Sequence, residues 1–176
     1  MNTNINHIEC AIENIINKLH KFSKAVVEIR PPICKNAIAN FERRYNTMLP
    51  YDYKYLLSKT NGFTLFGDEI YGINDNISSL KEDLFSVYEF EHHETYKPQY
   101  EHIIPFSPDG RGNFYCFDTK SMSNNNIECN IVFWQSNYEY SEFDQPEITH
   151  LSLVDYINEC IFAWNLEIFD YNGDAL

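Results

Sequence analysis

Two apolar runs separated by a segment dense in turn formers do most to limit how this chain folds. Ile103-Ile104-Pro105-Phe106 and Phe114-Tyr115-Cys116-Phe117 flank Ser107-Pro108-Asp109-Gly110-Arg111-Gly112-Asn113. Such a pattern predicts a β-hairpin with a slightly long loop, and so an antiparallel pairing inside the fold. Ile131-Val132-Phe133-Trp134 is a third run of strand type, after a polar Ser/Asn stretch at 121–126.

The flanks have a different texture. Ile5, Ile8, Ile12, Ile15, Ile16 and Leu19 recur at helical spacing and predict an amphipathic helix over 4–24. Pro31-Pro32 breaks the chain, and Ile33, Ala37, Phe41 and Tyr45 predict a second helix over 33–45. Pro50 suits the first turn of a third helix through Tyr53, Leu56 and Leu57, which stops at Asn61-Gly62. Phe63–Phe66 and Ile70–Ile73 read as short strands around a Gly67-Asp68 turn. Residues 76–101, with Leu80, Leu84, Phe85 and Val87, read as a short helix in a long loop. Leu151, Val154, Ile157, Ile161 and Trp164 form a last helical stripe, with Ser152 or Thr149 as its cap. The tail from Phe169 is expected to fray. Helices, then strands, then a helix indicate an α+β domain. At 176 residues one domain suffices, and neither a repeat nor a splitting linker is visible.

Charge narrows the function classes. Residues 1–62 hold nine Lys+Arg against five Asp+Glu, whereas residues 63–176 hold four against 21, for a net −13 overall. That sign opposes binding to nucleic acid or an anionic membrane and suits a basic partner, or merely solubility with the acids as a solvated face. No apolar run approaches a membrane span, and Met1–Ile8 lacks the regions of a signal peptide. Five cysteines at irregular spacing suggest neither a disulfide framework nor a zinc site, so the expected compartment is the cytoplasm.

Searches for chemistry return little. Gly110-x-Gly112 lacks the third glycine of a dinucleotide fingerprint, since Tyr115 stands there. Adjacent His92 and His93 do not share a helix face, and His102 and His150 flank apolar runs. Cys116 lies inside an apolar strand and reads as a core residue. No nucleophile elbow or phosphate loop appears, and no cofactor is implied.

Two acidic-aromatic stretches are better candidates. One is Tyr138-Glu139-Tyr140-Ser141-Glu142-Phe143-Asp144-Gln145-Pro146-Glu147, and the other is Tyr88-Glu89-Phe90-Glu91-His92-His93-Glu94. Aromatics anchor interfaces and acids steer a basic partner. Equally, the rings of such stretches can alternate inward while the acids face water. The candidate partner-binding residues are Glu89, Glu91, Glu94, Tyr138, Glu139, Tyr140, Glu142 and Asp144.

Three elements, in order, resemble the SUKH superfamily of bacterial immunity proteins and fungal Smi/Knr-type regulators. They are Phe41-Glu42 … Leu49-Pro50-Tyr51-Asp52-Tyr53-Lys54-Tyr55-Leu56-Leu57 with its Asn61-Gly62 stop, the strand–turn–strand from Ile104 to Asp118, and the closing helix Leu151–Trp164. The likeness covers about 33–165, leaving 1–30 as a leading helical extension and 166–176 as an acidic tail. The acidic stretch Lys81–Glu101 is longer than the family pattern. The resemblance implies one central, largely antiparallel β-sheet flanked by helices. It also implies a non-enzymatic role, the binding of a cognate toxin, often a nuclease; the chain is expected to act as a monomer or weak homodimer. The turn residues Asp109, Gly110, Gly112 and Asn113 then carry structure: the glycines supply backbone conformations closed to other residues, and the polar pair bonds the turn. A regulatory or scaffold protein without a toxin is the second reading, and a small hydrolase the third.

Overall fold

The structure, a computed structural model, describes residues 3–74, 83–123 and 126–176. Helix α1 (Thr3–Leu19) buries Ile8, Ile12, Ile15 and Leu19, the i, i+4, i+7 spacing of one helix face. It stops five residues before the predicted end. Phe22 folds inward there, 4.6 Å from the Tyr171 ring, and the chain enters an unpredicted strand, β1 (Val27–Ile29). Helix α2 (Lys35–Tyr45) buries Ala37, Ile38 and Phe41 and ends at Asn46 in the left-handed conformation. Helix α3 (Tyr51–Lys59) follows Pro50, which is its extended N-cap. It packs against α1 through hydrogen bonds from Tyr51 to Glu9 (2.5 Å) and from Tyr55 to Glu13 (2.8 Å).

Asn61-Gly62 does more than stop α3. The Asn61 side chain accepts the Ile73 N–H and donates to the Ile73 carbonyl, both at 2.8 Å, which ties the helix end to the far side of the next hairpin. That hairpin is β2 (Phe63–Leu65) and β3 (Asp68–Ile70). Its two-residue turn is Phe66-Gly67, one residue before the predicted pair, with φ of 53° and 100°. The Phe66 ring stacks on Phe169 at 4.9 Å.

The expectation of one central sheet is corrected. There are two antiparallel sheets, β1-β2-β3 and β4-β5-β6-β7, where β4 is Ile103–Pro108, β5 is Phe114–Asp118, β6 is Ile131–Trp134 and β7 is Glu147–His150. Their edges meet at β3 and β4, where Tyr71 N–H donates to Phe106 O at 2.8 Å and the Ser107 hydroxyl to Glu69 O at 2.6 Å. On its other side β4 pairs with β5, with a register shift between Pro105 and Ser107. In the β4–β5 turn the Asp109 carboxylate accepts the N–H groups of Arg111 (2.7 Å) and Asn113 (2.9 Å), with Gly110 and Gly112 at positive φ.

Helix α4 (Leu84–Glu89) begins with a reciprocal Asp83–Ser86 capping box and runs into a π-helical turn, Phe90–Glu94. Leu80 and the start of the predicted short-helix region, like Asn124 and Asn125 of the Ser/Asn stretch, lie outside the described residues. Helix α5 (Leu153–Tyr156), capped by Ser152, continues through a π-helical stretch, Ile157–Ala163, into α6 (Trp164–Ile168). The wider π turns rotate the stripe. Ile157 and Ile161 stay buried, Phe162 joins them, and Trp164 is turned out, 71% exposed. The tail is ordered, contrary to expectation. Asp170 Oδ1 accepts the N–H groups of Asn172, Gly173 and Asp174, and Phe169 pairs with Ala175.

Candidate partner-binding face

The two acidic-aromatic stretches are far apart in sequence, and their roots meet in space. Asn137 Oδ1 accepts the Tyr96 N–H at 2.9 Å, and Lys97 Nζ pairs with Glu139 at 2.6 Å. The segment 135–146, between β6 and β7, folds on itself. Ser141 and Asp144 exchange backbone hydrogen bonds at 3.0 and 3.2 Å, and the Tyr138 hydroxyl donates to Asp144 Oδ2. This holds Phe143 at the tip, 99% exposed, among the exposed carboxylates Glu139, Glu142, Asp144 and Glu147. Tyr138 is exposed above them, whereas Tyr140 turns inward, 4.6 Å from the Trp134 ring. Tyr96, 87% exposed, adds an aromatic that the sequence did not single out. Its signal was only its position beside an acidic stretch.

The other stretch divides. Glu94 is exposed. Glu89 is half-buried and turned toward α2, where its carboxylate accepts the Tyr45 hydroxyl at 2.6 Å and lies 3.7 Å from Arg44. Glu91 is corrected as a surface residue: it is fully buried. Its Oε1 accepts the Ser136 hydroxyl at 2.7 Å, and the Trp134 indole N–H faces the same carboxylate outside hydrogen-bonding geometry. Burial pushes the Glu91 carboxyl up, and the Ser136 and Trp134 donors pull it part of the way back. The π turn that carries Glu91 aims it at the core while Glu94 stays in water.

Of the adjacent histidines, His92 is held inside the fold and His93 is exposed. His92 is buried, with Nδ1 2.9 Å from Tyr88 O and Nε2 3.3 Å from Tyr100 O, and burial lowers its pKa. It lines a cleft of about 920 Å³ with Tyr45, Tyr88, His93, Glu101 and His102. Burial pushes the Cys116 thiol well up and favours its neutral form. Among the described residues no group of three or more His, Cys, Asp or Glu is placed to hold a metal ion, and no helix is long and apolar enough to cross a membrane.

Fold and face together define an α+β protein of two abutting antiparallel sheets whose most distinctive surface is acidic and aromatic. The chain belongs to the SUKH_6 family: the family model described as SMI1-KNR4 cell-wall matches residues 35–157. That span runs from the start of α2 through the hairpins into the closing helix. No curated protein matches the chain.

Proposed function

We propose that this protein is an immunity protein that neutralises a cognate basic toxin, a nuclease by preference, through one-to-one occlusion in the cytoplasm of the producing cell. The reading rests on family membership and on one observation. From Ser121 to Leu176 the chain has ten Asp and Glu residues and no Lys or Arg. This segment builds β6, the 135–146 loop, β7 and the closing helix. A strongly acidic surface carrying exposed rings, with Lys97 as the base paired to Glu139, suits a cationic protein groove of the kind that holds phosphates. Carboxylates accept charge-assisted hydrogen bonds from its Arg and Lys side chains, while Tyr138 and Phe143 supply apolar area at low entropy cost. Glu94, Glu139, Glu142, Asp144 and Glu147 form the acidic part of this contact.

The test is co-purification with the product of the adjacent gene, followed by association kinetics across a salt series. A stable one-to-one complex, whose formation slows steeply with ionic strength and silences the toxin, is the expected result. Failure to bind that product, with the toxin left active, overturns the proposal.

A further inference from the structure

Strand β7 closes one side of the four-stranded sheet, and among the described residues β6 is its only strand neighbour. Among the described residues, no backbone N–H or C=O of Glu147–His150 bonds to anything beyond β6. One row of donors and acceptors therefore faces outward, the template that an added strand uses. Ile148, on this strand, is 54% exposed, and Leu151, just after it, is 72% exposed. Pro146 marks one end of the row because it has no N–H to offer.

We propose that β7 receives an extended, cationic segment of the partner as a fifth strand of this sheet. The inference rests on the immunity reading and specifies how the partner is held. Charge selects the edge. The other outer edge, β1, carries Glu28 between Lys24 and an Arg30 already paired with Glu69, so its charge is close to balanced. By contrast, β7 follows directly on Glu142, Asp144 and Glu147, and its His150 lies 3.6 Å from Glu159. A basic strand is drawn to the acidic β7 edge and gains no such attraction at β1. A second copy of this chain is a poor occupant: antiparallel pairing of β7 with β7 brings two acidic loops and two Glu147 side chains together. In the added strand, main-chain bonds supply adhesion, one face meets Ile148, and basic side chains reach the carboxylates of the 135–146 loop.

Hydrogen exchange read by mass spectrometry tests this on the purified complex with the adjacent-gene product, against the free protein. The amides of 147–151 are expected to slow by about tenfold or more on binding. A complex in which those amides are unchanged, with protection confined to 138–144, overturns strand addition while leaving the immunity reading intact. The absence of any complex overturns both. Concentration-dependent protection of 147–151 in the free protein shows a second copy on the edge and overturns the choice of partner.

Discussion

Glu91 Oε1 accepts the Ser136 hydroxyl at 2.7 Å, so the π turn after α4 is bonded directly to the root of the loop that displays Phe143. Replacing Glu91 with Ala leaves this hydroxyl without its acceptor. The expected cost is about 1–3 kcal/mol, read from urea unfolding midpoints. Glu91→Gln keeps an acceptor for Ser136 and is expected to retain most of the stability. Equal losses in both variants contradict the bond's role.

Asp52, fully buried at the start of α3, is a second inward carboxyl. Its Oδ1 accepts the Tyr53 N–H at 2.6 Å, and its Oδ2 has no hydrogen-bond partner. Burial pushes the carboxyl up to about 8, the Glu128 charge adds to the rise, and the Tyr53 N–H opposes it. The folded state therefore holds this proton more tightly than the unfolded chain, whose value is 3.8. The group's stabilising contribution is full below about pH 4 and is lost as pH rises to about 8. Asp52→Asn is expected to match the wild type at pH 4 and exceed it by about 1–3 kcal/mol at pH 8. A difference independent of pH refutes the assignment.

The glycines separate by what surrounds them. Gly62 has φ +77°, and a Cβ there falls 2.3 Å from Ile70 O and 2.8 Å from Gly72 N, backbone atoms that cannot step aside. Gly110 has φ +73° with nothing within 4 Å of such a Cβ. Gly62→Ala is expected to cost about 3 kcal/mol or more, and Gly110→Ala only the left-handed strain, about 1–2 kcal/mol. Thermal unfolding of the two variants checks the order.

What the sequence disclosed was local. The Asp109–Asn113 turn and the apolar stripes of α1, α2 and α3 are written in adjacent residues, and the structure has those elements. What it hid depends on distant partners. Strands β1 and β7, three and four residues long, carry too few side chains to show alternation, and they exist because β2 and β6 offer them a ladder. The split into two sheets depends on how β3 meets β4, through the Tyr71–Phe106 and Ser107–Glu69 bonds between residues distant in sequence. For the binding face, the loop acids were visible as composition. The inward turn of Glu91 was not, because a π turn leaves no period in the sequence. A basic residue in that stretch also found an acid 42 positions on: Lys97 pairs with Glu139.

The two tryptophans differ in burial, Trp134 on strand β6 and Trp164 after the π-helical stretch of the closing helix. Trp134 is 1% exposed and Trp164 71%. Trp134→Ala is expected to cost about 3–5 kcal/mol. Trp164→Ala is expected to stay within about 0.5 kcal/mol, as for a surface position. A large loss at Trp164 places it in the core and contradicts the π-helical register.

Local and global charge make different demands on association. If net charge alone drew the partner in, adding acid anywhere on the chain would speed binding. If the 135–146 loop does the steering, only charges there count, because salt screens the rest beyond about 10 Å at 0.1 M. Glu142→Lys and Lys24→Glu separate the two cases. Both side chains are exposed, so neither change is expected to move the unfolding midpoint. Glu142→Lys is expected to slow association with the cognate toxin by about three- to tenfold at low salt, with the effect fading as salt rises. Lys24→Glu makes the chain more acidic and is expected to leave the rate unchanged. A rate that follows net charge in both variants assigns the attraction to the whole molecule and removes the loop from its special place.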